Sequence, residues 1–326
     1  MKKIGLIGVI LLLSLGTSVF AAGGSAAGGE QQQVKELRFA TGGVAGTYYP
    51  LGTAIGQAWK EQTGIDVTIQ STGASRANIQ LIDAKEVEIA LVQNDVADYA
   101  FRGVDLFAAE GKITSFSGMA ALYPEVIQIV ANPGAGIRTV ADLRGKRVSV
   151  GDAGSGTEFN SLHILDAYGL TFNDIQRQNL GFGASAEALK DNRIDAFFCV
   201  AGPPTPAIVD LAITNNVVIL EVDNAAATRL KAKYPVYATV SIPANSYNRQ
   251  TAAVQSVSIK AVIVVANSVP ENVIYNLTKT LFDRQAQIAA GHTRGNDINR
   301  AYAVEGLPFG FHPGAARYFK EVGAIR

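Results

Sequence analysis

Short apolar runs and stretches with helical spacing follow each other along the chain, which is the pattern of an α/β protein. The run 37–40 predicts a strand, the glycine-rich stretch 41–47 predicts a turn, and Pro50 is expected as the first residue of a helix. That helix should bury the apolar positions on one face, which are Leu51, Ile55, Ala58 and Trp59. Glycines let a backbone approach a ligand, and N–H groups at a helix start favour an anionic group. The stretch therefore predicts a binding loop for a small acid, with a tight turn that binds nothing as the alternative.

The same pattern occurs a second time further along the chain. Residues 147–157 repeat the strand and glycine turn, and a helix is predicted over 161–168. Residues 188–198 repeat 81–91 as a helix end, an acidic turn and an apolar strand, at nearly the same separation. We therefore predict two similar α/β lobes, each with a binding loop after its first strand. Chance similarity between α/β units is the alternative.

Polar residues follow two further predicted elements of the first lobe. A strand is predicted over 67–70, and Ser75 is expected to cap a helix that runs to about Lys85. Asn78 should face out of the first turn of that helix. A buried strand over 87–92 ends at a polar group, which consists of Gln93, Asn94 and Asp95. Ligands of open α/β sheets bind at the carboxyl ends of the strands, so these side chains are candidates for binding, with helix capping as the alternative.

Two long β-rich runs, at 126–131 and 257–266, are candidates for strands that cross between the lobes. If both cross, the fold is a two-lobed α/β structure joined by two strands, which can close on a ligand by hinge motion. Lobe one then comprises 36–122 and 260–326, and lobe two comprises 123–259. A helical stretch at 273–290 would cover lobe one.

The N-terminus has the charged, apolar and small-residue regions of a secretory signal. We predict a signal peptide over 1–22, cleaved near Ala21 or Ala22, and therefore a periplasmic location. An uncleaved membrane anchor is the alternative, although glycines within the apolar run disfavour a spanning helix. Residues 23–35 are rich in Gly, Ala, Ser and Gln, which predicts a flexible linker.

Composition narrows the classes of partner and of chemistry. The 28 Lys and Arg balance the 28 Asp and Glu, so nothing suggests a nucleic acid as partner. The single cysteine, Cys199, is expected as a buried apolar residue. The three histidines have no nucleophile or metal-ligand cluster at a recognisable spacing, and His163 is expected to pack within a helix. We expect a monomeric binding protein without a cofactor or metal; an exported enzyme acting on a small acid and a surface antigen or adhesin are the alternatives.

Several motifs resemble a known family, and they occur in its order along nearly all of the chain after the signal. They are Thr41-Gly42-Gly43 with Gly46-Thr47-Tyr48-Tyr49-Pro50, Ser71-Thr72 with Ser75 and Asn78, Gln93 with Asp95, Leu122-Tyr123-Pro124-Glu125, Asp142-Leu143-Arg144-Gly145-Lys146-Arg147-Val148, Gly154-Ser155-Gly156-Thr157, and Leu307-Pro308 with Pro313-Gly314-Ala315. In these the chain resembles the TAXI-type solute receptors of TRAP transporters. The resemblance implies a type II periplasmic binding-protein fold, a membrane-embedded TRAP transporter subunit as partner, and a small organic acid as ligand, with glutamate and related C5 dicarboxylates foremost.

The resemblance also implies which residues line the ligand cleft. One wall would consist of Thr41, Gly42, Gly43, Gly46 and Tyr48, with Ser75, Asn78, Gln93, Asp95 and Tyr123 beside it, and the opposing wall of Ser155, Gly156, Thr157, Ala201 and Gly202. Asp95 would suit an amino group of the ligand or would orient the glycine loop. Arg76 departs from the family pattern, and it is either a clamp for a second carboxylate or a charge on the helix surface. We expect Asn78→Ala and Thr157→Ala to weaken binding while leaving melting of the free protein nearly unchanged.

Overall fold

The first predicted strand and helix are present in the computed structural model, which describes residues 34–326. The strand spans Glu36–Ala40, and the helix spans Tyr48–Thr63 and so begins two residues before Pro50. Pro50 therefore lies within the first turn, where the missing N–H costs no intrahelical hydrogen bond. The four apolar positions predicted for the buried face are fully buried, which confirms the interpretation of the helical spacing.

Strands and helices alternate along most of the described chain. The strands are β1 Glu36–Ala40, β2 Asp66–Gln70, β3 Ile89–Gln93, β4 Phe116–Ala131, β5 Arg147–Ser149, β6 Gln176–Gln178, β7 Ala196–Ala201, β8 Val218–Leu220, β9 Ala238–Ile242 and β10 Val254–Ala266. The helices are α1 Tyr48–Thr63, α2 Ser75–Asp83, α3 Asn94–Arg102, α4 Gly156–Ala167, α5 Phe182–Lys190, α6 Pro206–Thr214, α7 Asn224–Lys233, α8 Glu271–Asp283, α9 Gln285–Gly291, α10 Arg300–Ala303 and α11 Pro313–Glu321.

The strands form one mixed sheet in the order β2-β1-β3-β10-β4-β7-β5-β6, with β8 paired to β4 and β9 to β10. On one side β1 pairs in parallel with β2 and β3, and on the other β5 pairs in parallel with β6 and β7. The long strands β4 and β10 are antiparallel to each other and join these two parallel groups. The prediction of two α/β lobes joined by two crossing strands is therefore confirmed.

The buried apolar residues form separate clusters, and the division between the clusters falls within the two crossing strands. Tyr123 and Ala261 belong to a cluster built from 37–123 and 261–319, whereas Val126 and Ile259 belong to clusters built within 126–259. Residues 34–326 nevertheless form one compact unit, so the lobe limits predicted from the sequence remain a prediction.

Each lobe contains an ion pair of its own, and the two pairs occupy equivalent positions in the two lobes. In the first lobe the main-chain N–H of Arg38 donates to Glu88 Oε2 at 2.8 Å, and the Arg38 guanidinium pairs with the same carboxylate. In the second lobe the N–H of Arg147 donates to Asp195 Oδ2 at 2.8 Å, and its guanidinium pairs with that carboxylate. Each pair ties the first strand of a lobe to the turn before a later strand. The internal repeat predicted from the sequence is thus a repeat of structure.

Other predictions differ in detail. The helical stretch 273–290 is divided into α8 and α9 at Arg284, and α8 covers lobe one where Leu277 O accepts a 2.9 Å hydrogen bond from Trp59 Nε1. Cys199 is fully buried in β7 and His163 is buried in α4, as predicted. The predicted signal peptide, 1–22, and all but the last two residues of the predicted linker, 23–35, lie outside the described residues. Within 34–326, every helix is too short or too polar to cross a membrane.

Candidate functional site

Four helices begin at one cavity of about 420 Å³. In each case a strand ends, a short loop follows, and the first residue of the next helix lines the cavity. The four first residues are Tyr48 of α1, Ser75 of α2, Gly156 of α4 and Phe182 of α5. The strands before these helices belong to the two parallel groups of the sheet, so the cavity lies at their carboxyl ends, as predicted for a ligand site.

Lobe one contributes its glycine loop and the start of α2 to the cavity, which we call the first wall. The wall comprises Gly42, Gly43, Val44, Ala45, Gly46, Thr47 and Tyr48, together with Thr72, Gly73, Ala74 and Ser75. Ala74 has a φ of 66°, a left-handed backbone conformation that is uncommon for a residue other than glycine. Its N–H is held by Thr72 Oγ1 at 3.1 Å. The loop before α2 is therefore fixed in an unusual conformation at the cavity surface.

Lobe two contributes the loops before α4 and α5, which we call the second wall. The wall comprises Asp152, Ser155, Gly156 and Thr157, together with Gly181, Phe182, Gly183 and Ala184. Ser155 caps α4, because its Oγ accepts a 3.2 Å hydrogen bond from the N–H of Glu158. The N–H groups of the first two helical residues, Gly156 and Thr157, have no acceptor within the helix. Both residues line the cavity.

The two lobes touch each other at the edge of the cavity. Thr47 Oγ1 donates to the carbonyl of Gly202 at 3.1 Å, and the N–H of Ala207 donates to the carbonyl of Ala45 at 3.1 Å. The Phe182 ring packs against Gly46, where an added Cβ would lie 3.4 Å from the ring. The structure therefore holds the two lobes together around the cavity.

A group of buried polar side chains lies between the walls, on or next to the crossing strands. Gln93 ends β3, and Tyr123 and Glu125 lie in β4. Gln93 Nε2 donates to Glu125 Oε2 at 3.1 Å. Four polar atoms of this group and of Tyr48 lack a hydrogen-bond partner: Tyr48 Oη, Gln93 Oε1, Tyr123 Oη and Glu125 Oε1. Buried polar atoms are normally paired, so this group is the part of the cavity with unused hydrogen-bonding capacity.

The comparisons with known proteins extend over almost the whole described chain. The model of the NMT1-like family matches residues 39–323. The chain belongs to the NMT1-like family.

Solved structures show the fold of this NMT1-like family member. PhnD1 from Prochlorococcus marinus, in complex with methylphosphonate, has a TM-score of 0.55 at 9% identity over 90% of this chain and 100% of that one. The alkanesulfonate-binding protein SsuA from Xanthomonas axonopodis pv. citri, bound to MOPS, has a TM-score of 0.52 at 16% identity over 88% of this chain and 83% of that one. The chain has the type II periplasmic binding-protein fold, the fold of periplasmic solute-binding proteins, which confirms the predicted fold class.

The electrostatic character of the cavity in this NMT1-like family member is acidic. Among residues 34–326, the carboxyl side chains that line it are Glu125 and Asp152, and the lining includes no Lys, Arg or His. Burial raises the pKa of Glu125 to about 8 and also raises the pKa of Asp152. Groups of three or more potential metal ligands are absent from the described part of the chain. The anion-favouring features of the site are therefore main-chain groups and hydroxyls.

The structure brings most of the predicted site residues to the cavity. Those that line it are Gly42, Gly43, Gly46, Tyr48, Ser75, Gln93, Tyr123, Ser155, Gly156, Thr157 and Ala201. Ser75 is the first residue of α2 and not its cap, because its Oγ accepts a 3.0 Å hydrogen bond from the N–H of Gln93. Ligand contact by any of these residues remains a prediction.

Two of the predicted residues, Thr41 and Asn78, lie outside the lining and hold the loops behind it. Asn78 is fully buried, so the prediction that it faces out of α2 is wrong. Its Nδ2 donates at 2.7 Å to the carbonyls of both Thr41 and Leu91, and its Oδ1 accepts from Thr72 Oγ1 at 2.6 Å. Thr41 Oγ1 donates to Gln70 O at 2.7 Å. Both side chains are occupied by the scaffold of the first wall.

The other three, Arg76, Asp95 and Gly202, also lie outside the lining. Asp95 is buried and accepts from Asn160 Nδ2 at 2.9 Å, so it joins α3 to α4. Arg76 pairs with Glu110. Gly202 is packed against side chains, because an added Cβ there would lie 2.6 Å from the Arg294 side chain and 3.0 Å from the Tyr123 ring. The positions of these side chains therefore do not support the predicted ligand contacts.

Sequence reasoning missed Glu125 as a site residue although it quoted the motif that contains it. The available signal was a charged residue within the long apolar run of β4, because a charge in a buried strand needs a reason. It also missed the loop before α5, which has Gly181 and Gly183 around Phe182. That loop is the lobe-two counterpart of the loop before α2, and the internal repeat could have located it.

Proposed function

We propose that this protein is an extracytoplasmic receptor, which captures a small organic acid in the cavity between its lobes and delivers it to a membrane transporter. The observation that carries the proposal is the convergence of four helix starts on one cavity. Helix starts offer unpaired N–H groups and the positive end of the helix dipole, which together favour an anion. A volume of about 420 Å³ falls within the range usual for small-molecule sites.

The ligand and the transporter follow from the motif resemblance. The motifs in 41–50, 71–78, 93–95, 122–125 and 154–157 support a TAXI-type receptor of a TRAP transporter, with the membrane subunit as partner and glutamate or a related C5 dicarboxylate as ligand. The fold supports a small ligand of this kind, because PhnD1 and SsuA have the same fold and their structures contain methylphosphonate and MOPS. The proposal also includes export, directed by the segment 1–22, and binding without enzymatic activity.

Lobe closure would complete the site and report its occupancy. The hydrogen bond from Thr47 to Gly202 and the packing of Phe182 on Gly46 join residues of different lobes at the cavity edge. A ligand held by both walls adds contacts that only the closed arrangement can make, so it shifts the population towards closure. The membrane partner would then recognise the closed surface.

The proposal is tested by measuring ligand binding to the purified protein after unfolding and refolding to remove any carried-over ligand. A thermal-shift panel should include L-glutamate, glutarate, 2-oxoglutarate, an alkanesulfonate, methylphosphonate and, as the uncharged control, glucose. Ligand at a hundred times its dissociation constant should stabilise the fold by about 2.7 kcal/mol, a shift of a few degrees. Thr157→Ala should reduce the shift, whereas Glu187→Gln, an exposed position on α5, should not.

The outcomes separate the proposed receptor from the two alternatives. A shift with one or a few small acids, and no chemical change in those acids on prolonged incubation, supports the receptor. Turnover of a bound acid would indicate an exported enzyme. The absence of a shift with every acid would contradict the receptor and favour a surface antigen or adhesin.

A further inference from the structure

The four unpartnered polar atoms of the cavity belong to side chains that are almost completely buried. Tyr48 is 8% exposed, Gln93 3%, Tyr123 0% and Glu125 1%. The atoms are Tyr48 Oη, Gln93 Oε1, Tyr123 Oη and Glu125 Oε1. We call Tyr48, Gln93, Tyr123 and Glu125 the acceptor cluster. Leaving such atoms unpaired costs free energy. A ligand group that forms hydrogen bonds with several of them removes this cost, which favours binding.

The hydrogen-bonding capacity of the acceptor cluster favours a ligand group that donates. Gln93 Oε1 carries no hydrogen and can only accept, and the donor end of this amide binds Glu125 Oε2. Glu125 Oε1 accepts when the carboxyl is ionised, and the two tyrosine hydroxyls can accept as well as donate. A ligand carboxylate in this place would face the acceptor oxygen of Gln93 and the Glu125 carboxyl. An ammonium group, with three donors, fits the cluster.

The charges around Glu125 point the same way. The titratable groups that influence it or are influenced by it come from five elements, and they are Tyr48, Asp95, Tyr123, Cys199 and Tyr302. None of these is a cation at neutral pH. The neighbouring Tyr48 hydroxyl favours the ionised carboxyl, but it lowers the pKa of Glu125 less than burial raises it. Arg294 is the cation that acts on Tyr123, and it pairs with Asp297 at 2.9 Å outside the lining. Within the described chain, the Glu125 carboxyl therefore lacks a cationic partner in the cavity, and a ligand can supply one.

We infer that the ligand is an amino acid, whose ammonium group is bound by the ionised Glu125 together with Gln93, Tyr48 and Tyr123, while its carboxylate lies at the helix starts of the two walls. This inference rests on the proposed receptor function and specifies its substrate class. It assigns to Glu125 the recognition of an amino group that the sequence had suggested for Asp95. Acids that lack the amino group are bound weakly, because they leave the acceptor cluster unpaired.

Proton release should accompany binding. Burial holds the pKa of Glu125 at about 8 in the free cavity, so this carboxyl is mostly protonated at neutral pH. The ammonium favours the ionised form, and the proton leaves the carboxyl for the buffer as the ligand enters. Affinity for an amino acid should therefore rise with pH up to the pKa of Glu125, by about tenfold per pH unit at most.

The test compares matched ligand pairs on the full-length protein by titration calorimetry. The pairs are L-glutamate with glutarate, and L-leucine with 4-methylpentanoate, measured between pH 6 and 8.5 in two buffers of different ionisation enthalpy. We expect the amino member of the binding pair to bind about a hundredfold more tightly and to release a proton. Glu125→Gln keeps the shape but removes the charge, so it should reduce this preference at least about tenfold and abolish the pH dependence. Tyr123→Phe should reduce the preference less, and Glu187→Gln should leave it unchanged.

Each result tests either the inference about the amino acid or the receptor function on which it rests. Equal or tighter binding of the deaminated member overturns the inference but leaves the receptor in place. Affinity that falls as pH rises also overturns it, because Glu125 would then donate a proton to a ligand oxygen. A retained preference in a folded Glu125→Gln protein has the same meaning. Failure of every pair, together with a blank thermal-shift panel, overturns the receptor proposal and the inference with it.

Discussion

Gln93 and Glu125 are joined by a hydrogen bond of 3.1 Å from the side-chain amide to the carboxyl, and both residues are almost completely buried at the wall of the cavity. The bond links the end of β3 to the crossing strand β4. It orients both side chains and leaves Gln93 Oε1 and Glu125 Oε1 without a hydrogen-bond partner. The stability of the ligand-free protein and its ability to bind are therefore connected through this pair.

The first prediction concerns the pH dependence of stability. Burial raises the folded-state pKa of Glu125 from 4.5 to about 8, so the folded state binds a proton more tightly than the unfolded state. Its contribution to the free energy of unfolding is complete below about pH 4.5 and is lost as pH rises through about 8. We expect the difference in this free energy between the wild type and Glu125→Gln to fall by about 1.4 kcal/mol per pH unit in that window.

Urea unfolding of the refolded, ligand-free proteins at several pH values measures this difference. Asp95, whose pKa burial raises to about 6, contributes with the same sign in both proteins and cancels. Glu187→Gln, at an exposed position, serves as the matched control and should follow the wild type at every pH. A constant difference between wild type and Glu125→Gln from pH 5 to 8 would contradict the raised pKa.

The second prediction concerns the close approach of Gln93 to Gly156. A Cβ added to Gly156 would lie 1.7 Å from Gln93 Oε1, so Gly156→Ala must displace the Gln93 side chain. The displaced amide can no longer donate to Glu125, and the first turn of α4 loses its close contact with the cavity. We expect ligand affinity to fall at least about tenfold and the free energy of unfolding to fall by about 1–3 kcal/mol.

Calorimetric titration and urea unfolding measure the two effects of Gly156→Ala separately. Gly43→Ala is the control for stability, because a Cβ there has nothing within 4 Å and the residue does not have a positive φ. Gly43→Ala should therefore leave the free energy of unfolding nearly unchanged. Native affinity in Gly156→Ala would show that the position of Gln93 does not matter for binding.

The third prediction reverses the expectation from the sequence for Asn78. Asn78→Ala leaves the carbonyls of Thr41 and Leu91 without their 2.7 Å hydrogen bonds in a fully buried place. We expect the free energy of unfolding to fall by about 3 kcal/mol, because each buried, unpaired polar group costs about 1–3 kcal/mol. Urea unfolding measures this loss, and Thr157→Ala, which removes a side chain from the cavity lining, should lose much less. Unchanged stability in Asn78→Ala would contradict the structural role.

The glycine loops, the strand and helix order and the two lobes could be predicted from the sequence because they depend on local patterns. Apolar spacing marks α1 and the glycines mark the turn after β1, and both signals lie within a few residues. The internal repeat added the second wall near Gly156. Where a sequence pattern occurs in both lobes, each occurrence supports the structural prediction made from the other.

The roles of individual polar side chains could not be predicted in the same way. Asn78 is paired with main-chain groups that are 37 and 13 residues away, and nothing near it in the sequence indicates them. Asp95 is 65 residues from its partner Asn160. Glu125 acquires its raised pKa from burial, which is a property of the folded chain. Long-range pairing therefore separates the residues that hold the loops from those that face the cavity.

The last prediction concerns Arg76, for which the sequence left a carboxylate clamp and a surface charge open. The Arg76 guanidinium pairs with Glu110, lies 5.9 Å from the Phe107 ring centroid and packs against Gly154, outside the cavity lining. Both side chains of the pair are about one-third exposed, and such pairs contribute about 0–1 kcal/mol. Arg76→Ala should therefore change the free energy of unfolding by less than about 1 kcal/mol, and it should not change the ratio of affinities for L-glutamate and L-glutamine.

Glu110→Ala is the matched control for Arg76→Ala, since it removes the other half of the same ion pair and frees the guanidinium. If Arg76 is a surface charge that only pairs with Glu110, the two variants should have the same small effects in urea unfolding and in titrations with both amino acids. If Arg76 is a clamp, Arg76→Ala alone should lose L-glutamate binding by at least about tenfold, because a buried carboxylate then loses its bidentate partner. That selective loss would contradict the surface role and indicate that Arg76 contacts the ligand.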